Sequence, residues 1–344
     1  MVASAASVEL VLSIDVEEEG LFRGAYARMN AGVRNVAGLT RLSPLLEEFD
    51  LPVSLLCTHS VFSATAACRV LAAMCARHRV EIGAHLHHWN TPPLVARHAP
   101  RVADSADGQS YESPGRVPKA LLAARLASLF ASGRALLGRP LTSFRMGKWD
   151  LHRWHWPLLA EAGVLVDASV RPLHYASQGP DHFNAPADPY VVPVLGHAIL
   201  EVPLSCMPLC ACVRRLSPSS GAGGAVRRRL AASVQKWGAL ALLPVYHPLW
   251  MMQAVTKRHL AQGGRVLSLT WHSSEMMPGA TPHVPDALAV ERFLAKIRSY
   301  LRWLTGWTAV QGRTLDALRQ IWNTKRSGLR LGRDGVAGGG DWRY

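Results

Sequence analysis

Short apolar runs and longer segments of helical period alternate along this chain, the arrangement expected of a parallel sheet wrapped by helices. The first run, Val8 to Ile14, is continuous and β-prone and gives way at once to acidic residues. From Arg34 to Phe49 the positions Val36, Leu39, Leu42, Leu45, Leu46 and Phe49 fall on one face of a helix. Val53 to Cys57 reads as a second strand, followed by a helix over Ala64 to Arg77 and a strand over Val80 to Ile82. A long helix is expected from Pro118 to Leu137, with Gly138 as its stop signal. Strands at Ser143 to Phe144 and Leu165 to Val166 bracket a helix over Trp154 to Ala162, and later strands fall at Ile199 to Val202 and Arg265 to Trp271. Val290 to Trp303 has the spacing of an amphipathic helix, whereas the stretch from Pro203 to Val255 shows no clear period.

Composition narrows this to a folded globular protein: 344 residues, 49% hydrophobic and 18% charged, are enough for one large α/β domain. No internal repeat or Pro/Ser-rich linker divides the chain, so residues 1–324 read as one catalytic domain. Residues 325–344 read as a flexible basic tail, with Lys325, Arg326, Arg330 and Arg333 ahead of Gly338, Gly339 and Gly340. The net charge of +14 suits an acidic partner, although a codon bias toward arginine accounts for much of the same excess. No nucleic-acid partner is expected; the role expected of the tail is peripheral association with an anionic membrane surface or an acidic glycan. The chain has no run of eighteen or more apolar residues and no signal-like start, which predicts a cytoplasmic protein. Its six cysteines form no Cys-x-x-Cys pattern and are expected to be reduced; Cys206, Cys210 and Cys212 cluster either as buried thiols or as ligands for a soft metal.

In parallel α/β folds the strand C-termini form the functional face, and five polar segments follow the strands here. Asp15 and Glu17 sit two apart at the end of the first strand, so an extended backbone aims both carboxylates to one side. One could ligate a cation while the other takes a proton from water, though an Asp-x-Glu pair is also common in solvated turns. His85, His87 and His88 follow the third strand; two imidazoles and a carboxylate make a three-ligand site for a hydrolytic metal, and the competing reading is a surface turn rich in histidine. Arg145 could hold a catalytic carboxylate ionised, and Asp167 could fix the tautomer of an imidazole, for which His272 is the natural candidate. Ordinary salt bridges are the alternative for both.

In order and wording, Asp15-Val-Glu-Glu-Glu-Gly20, His85-Leu-His-His-Trp-Asn-Thr-Pro-Pro93, Arg145, Asp167 and His272-Ser-Ser-Glu-Met-Met-Pro-Gly279 resemble the polysaccharide deacetylase (NodB homology) family, in particular its WalW-like branch. The resemblance runs from about Val8 to Leu318. It implies an α/β fold, a distorted (β/α)7 barrel, and a metal-dependent hydrolase removing acetyl groups, foremost N-acetyl, from a glycan. It also implies a divalent cation, zinc foremost, held by Glu17, His85 and His87, with Asp15 as base, Arg145 orienting it, His272 as general acid and Asp167 as the partner of His272. Two departures stand out. The family at large spaces its metal histidines as His-x-x-x-His, whereas Trp89 lies four residues after His85, leaving His87 (the WalW-like position) or His88. Val16 also separates two acids that are usually adjacent. The alternatives are hydrolysis of another amide or ureide on the same fold, or a glycan-binding protein without catalysis.

Overall fold

The computed structural model describes residues 7–29, 31–94, 113–176, 179–210, 213, 233 and 238–329. Seven parallel strands form its centre: β1 (Val8–Val16), β2 (Val53–Cys57), β3 (Val80–Leu86), β4 (Ser143–Met146), β5 (Val166–Asp167), β7 (His197–Glu201) and β10 (Val266–His272). Their order is β10-β1-β2-β3-β4-β5-β7, and the sheet curls into an incompletely closed barrel, in line with the barrel that the resemblance implies. β6 (Tyr190–Val194) adds an antiparallel edge beyond β7, and β11 (Val310–Arg313) pairs with the first half of β1. The strands are buried on both faces, so they read as near-continuous apolar runs rather than alternating ones.

The gap between β7 and β10 is bridged by single backbone contacts instead of a full ladder. Ser205 N–H donates to Ser268 O (3.3 Å), Leu242 N–H to Ser205 O (2.9 Å) and Thr270 N–H to Leu242 O (3.3 Å). Ser205 and Leu242 flank a small separate hairpin, β8 (Cys206–Pro208) with β9 (Ala239–Ala241). Within the stretch that showed no period, the described residues thus form the seam of the barrel. The residues around Arg227, Arg228 and Arg229, and Cys212, lie outside the described set. Cys57, Cys68, Cys75 and Cys206 form no disulfide, but Cys210 is disulfide-bonded, against the expectation of reduced cysteines throughout.

Most expected elements are present, with three differences. The helix expected over Arg34 to Phe49 is a 3-10 segment, Arg34–Leu42, followed by a short α-helix, Ser43–Glu48; Pro44 begins the second because its ring is tolerated only in a first turn. In the 3-10 segment a side chain at Gly38 would meet Met276 O at 3.0 Å, so this approach to the segment after β10 requires glycine. β6 and β7 form a hairpin that the sequence did not announce, because its turn residues, Leu195 (φ 49°) and Gly196 (φ 76°), replace the usual Asn-Gly with an exposed leucine. The last helix, Leu315–Leu329, continues through Lys325 and Arg326, where a flexible tail was expected to begin; Arg330, Arg333 and the glycines lie outside the described residues.

The helix Lys119–Leu137 is long and apolar enough to cross a membrane by length and composition, although charged residues interrupt its apolar run. It nevertheless packs on the barrel, burying Leu122, Leu126, Leu129 and Phe130 in the main core, and it ends at Gly138 (φ 68°), which caps it in the left-handed conformation. The helix Ala287–Trp307 starts at an Asp286 cap, whose carboxylate accepts from Ala289 N–H (2.8 Å).

Candidate active site and metal centre

The pleat of β1 turns Ile14 and Val16 into the apolar core and leaves Ser13, Asp15 and Glu17 on the opposite face. Strand register sets the rest: Asp15 lies level with His272 on β10, and His85 level with Arg145 on β4. Parallel strands with matched registers bring residues up to 257 positions apart to one end of the barrel. His87 keeps the same two-residue spacing from His85 just beyond β3.

Glu17 Oε2 lies 3.3 Å from both His85 Nε2 and His87 Nε2. The donor atoms of the three residues fall within 4.8 Å of one another, and all three side chains are buried. The far nitrogen of each ring is tied down: His85 Nδ1 meets Arg145 O at 3.1 Å, and His87 Nδ1 meets Glu18 Oε1 at 2.6 Å. Such contacts fix ring orientation and leave each Nε2 turned toward Glu17. Glu18 is itself held by Asn90 Nδ2 (2.5 Å) and Thr58 Oγ1 (3.2 Å). Trp89 stacks on His87, with ring centres 4.2 Å apart, and a side chain at Gly147 would strike His87 Cδ2 at 2.6 Å. His88 is buried and meets Trp89 edge-on, so His87 rather than His88 completes the cluster.

The electrostatics favour positive charge at this point. Burial would raise the Glu17 carboxyl, but His272, His85 and His87 hold it far below the usual glutamate value. Burial would lower His87, yet Glu18 and Glu17 push it up to about 10. Two imidazole nitrogens and one carboxylate oxygen, buried and convergent, suit zinc or a similar divalent cation, so the residues present fit the metal that the sequence led one to expect.

Beside this cluster, Arg145 holds Asp15. Its Nη1 donates to Asp15 Oδ1 (2.5 Å) and Thr270 Oγ1 (2.9 Å), Nη2 to Ser13 Oγ (2.7 Å) and Nε to Ala168 O (2.8 Å). Burial alone would raise the Asp15 carboxyl; the Arg145 guanidinium, with His85 and His272, outweighs burial and leaves it below the usual aspartate value. The other Asp15 oxygen lies 3.7 Å from His272 Nε2.

The partner of His272 differs from the expected one. Its Nδ1 meets Glu275 Oε1 at 3.1 Å, and Glu275 Oε2 accepts the His272 backbone N–H at 3.1 Å, because a 3-10 turn directly after β10 folds Glu275 back onto the strand end. Burial would lower His272, but Glu17, Glu275 and Asp15 raise it to about 9. Asp167 instead accepts from Ser169 Oγ (2.5 Å) and Ser169 N–H (3.2 Å) and stands level with Glu201 on β7. Glu201 accepts the Val170 N–H (2.9 Å), and burial together with Asp167 pushes its carboxyl well up. Two buried carboxyls side by side are costly when both are ionised, so a proton is retained on Glu201. Asp167 thus supports the loop that carries Ala168, Ser169 and Val170, and reaches the site through Arg145, whose charge acts on it and whose Nε donates to Ala168 O.

That proton has a measurable consequence. Folded Glu201 keeps a proton that the unfolded chain releases near the usual value of 4.5, so its stabilising effect is complete below that pH and is lost as the pH rises toward the folded value. Glu201→Gln, which still accepts from Val170 and can donate to Asp167, is expected to flatten the fall in Tm as the pH rises above about 4.5. An unchanged Tm profile would count against the retained proton.

Asp15, Glu17, His85, His87 and His272 open into one cleft of about 330 Å3, whose walls include Phe22, Tyr26, Trp89, Trp149, Arg171 and Tyr246. Asp15, His85, His87 and His272, which the chain places at the ends of β1, β3 and β10, thus meet in one pocket. The sequence did not single out Glu18, Glu275 or Glu201, although Glu18 and Glu275 stand inside the segments that carried the resemblance.

A solved structure assigned to the polysaccharide deacetylases, from Mycobacterium smegmatis, superposes with a TM-score of 0.56 at 16% identity, covering 95% of this chain and 93% of that one. The fold is that of the polysaccharide deacetylases. A second such structure, from Pseudomonas aeruginosa PAO1, covers 93% and 92% of the two chains at 14% identity with a TM-score of 0.51. A glycoside hydrolase/deacetylase structure from Parabacteroides distasonis gives 0.56 at 10% identity, covering 94% of this chain and 73% of that one. No family model and no curated protein matches the sequence. The likeness to the deacetylase fold does not distinguish the WalW-like branch within it.

Proposed function

We propose that this chain is a metal-dependent carbohydrate deacetylase that removes acetyl groups, N-acetyl foremost, from a glycan, with zinc as the metal. The observation that carries the reading is the convergence in one cleft of the Glu17, His85 and His87 donors, the Asp15 carboxylate held by Arg145, and His272 braced by Glu275. The deacetylase fold of the neighbouring structures supports it.

Glu17, His85 and His87 would hold the cation, which when bound supplies a Lewis acid for the acyl oxygen and acidifies water. Arg145 keeps Asp15 ionised and oriented, so that Asp15 can accept the proton of the attacking water. His272, protonated at neutral pH and fixed through Nδ1, carries on Nε2 the proton that the departing amine needs. The aromatic rings of Phe22, Tyr26, Trp89 and Trp149 line the cleft and offer apolar faces to sugar rings.

Acetate release from a panel of acetylated glycans, measured with and without chelator, tests this reading. Chelator-sensitive release, restored by zinc, is expected. Release of ammonia or carbamate from a ureide with no acetate from any glycan would favour another C–N hydrolase, and metal-free protein that still binds glycan would favour a binding module.

A further inference from the structure

Two cationic side chains, Arg171 and Lys148, stand in the wall of the cleft, whose carboxylates have other partners. Asp15 is paired with Arg145 at 2.5 Å, and Glu17 faces His85 and His87 at 3.3 Å. Arg171 is half-buried, its guanidinium lies 5.7 Å from the centre of the Trp149 ring, and it makes no ion pair among the described residues. A partly desolvated guanidinium without a counter-charge is costly unless something anionic comes to it. Lys148, exposed at the rim, donates to the neutral Tyr26 hydroxyl at 2.9 Å.

The surroundings point the same way. The indole N–H of Trp149 is buried and has no acceptor among the described residues, although its ring touches both Arg171 and His272, at 5.7 and 6.2 Å. Lys148 and Trp149 are consecutive non-glycine residues in the left-handed region (φ 57° and 53°), and Leu173, two residues after Arg171, shares it (φ 63°). Such backbone is costly, and it is retained where it presents side chains to a ligand. His174, which also lines the cleft, is held neutral: burial, with Arg171 beside it, lowers it to about 3. It therefore adds no charge of its own and supplies none to neutralise Arg171.

We infer that the cleft is built for an acidic glycan, whose carboxylate or phosphate group is seated by Arg171 on the His272 side, with Lys148 as a second cation at the rim. The assignment rests on the deacetylase reading only for which side faces the sugar: His272 serves the leaving amine, so the wall through Trp149 to Arg171 faces the sugar that bears it. A guanidinium suits either anion because its planar fork matches carboxylate and phosphate oxygens alike. This seat belongs to the cleft and is separate from any role of the basic C-terminal residues.

Calorimetric binding to the full chain, without turnover, tests the inference with three probes: a neutral N-acetylglucosamine oligomer, an N-acetylhexosamine oligomer alternating with uronic acid, and N-acetylglucosamine 1-phosphate. At least one anionic probe is expected to bind about tenfold or more tighter than the neutral oligomer, the gain of one charge-assisted contact. That preference should shrink with added salt and disappear in Arg171→Gln, while Arg171→Lys keeps part of it. Which anionic probe gains separates carboxylate from phosphate. Lys148→Gln, at an exposed position, should lower the preference without risk to folding. Equal binding of all three probes, no binding of either anionic probe, or a preference that survives Arg171→Gln overturns the inference. Acetate release confined to neutral glycans would sink the anionic seat and leave the deacetylase reading standing; Arg171-dependent anion binding with no acetate release would do the reverse.

Discussion

Asp15→Asn is expected to keep the metal and to lose acetate release by a factor on the order of 10²-fold or more. An amide preserves the shape of the side chain and can still occupy the place beside Arg145, but it cannot take a proton from water at neutral pH. Glu17→Ala is expected to fail differently. Removing one of three protein donors leaves His85 and His87 alone to hold a cation, so bound metal and activity should fall together. Metal content by elemental analysis and acetate release, measured on both purified variants, separate the two roles. If Asp15→Asn loses the metal while Glu17→Ala keeps metal and activity, the roles are reversed, with Asp15 the ligand and Glu17 a bystander.

The second large effect is expected at Glu275. Its carboxylate accepts both the Nδ1 and the backbone N–H of His272, and the side chain is fully buried. Glu275→Gln keeps one oxygen acceptor but withdraws the negative charge that favours the imidazolium. Turnover should fall on the order of 10²-fold, the scale at which general acids contribute. The pH profile tells a positioning role from simple damage. His272 is raised to about 9, in part by Glu275, so the wild-type proton stays in place through neutral pH and is lost only as the pH rises toward that value. Without the Glu275 charge the alkaline limb of kcat should move toward neutral pH. A uniform drop in kcat with an unshifted alkaline limb would mean that Glu275 only caps the turn, and a normal rate in Glu275→Gln would return the search for the His272 partner to Asp167.

These two expectations differ in how they could be found. Asp15, Glu17, His85, Arg145 and His272 were legible because strand ends and two-residue alternation are local: an extended backbone puts Asp15 and Glu17 on one side whatever the rest of the chain does. The parallel sheet wrapped by helices was legible for a related reason, since apolar runs alternating with helix-period segments signal it, whereas its curling into a barrel was implied only by the family resemblance. Pairings between side chains were not. Asp167 has the residue type and strand-end position to brace an imidazole, but its β5 position sets it against Ser169 and level with Glu201, and it bonds Ser169.

What the sequence determined by itself, then, is which residues stand at the C-terminal ends of the strands and that their chemistry suits a divalent cation. Only the tertiary structure decided which of His87 and His88 joins His85, that Glu18 ties down His87, that Glu275 replaces Asp167 beside His272, and that Arg171 faces the cleft without a carboxylate partner among the described residues. The reason is physical: a side chain's direction along a strand repeats every two residues, whereas its partner depends on the register of neighbouring strands and on the turns at their ends. A 3-10 turn of four residues, Ser273–Met276, is enough to hand His272 a different carboxylate.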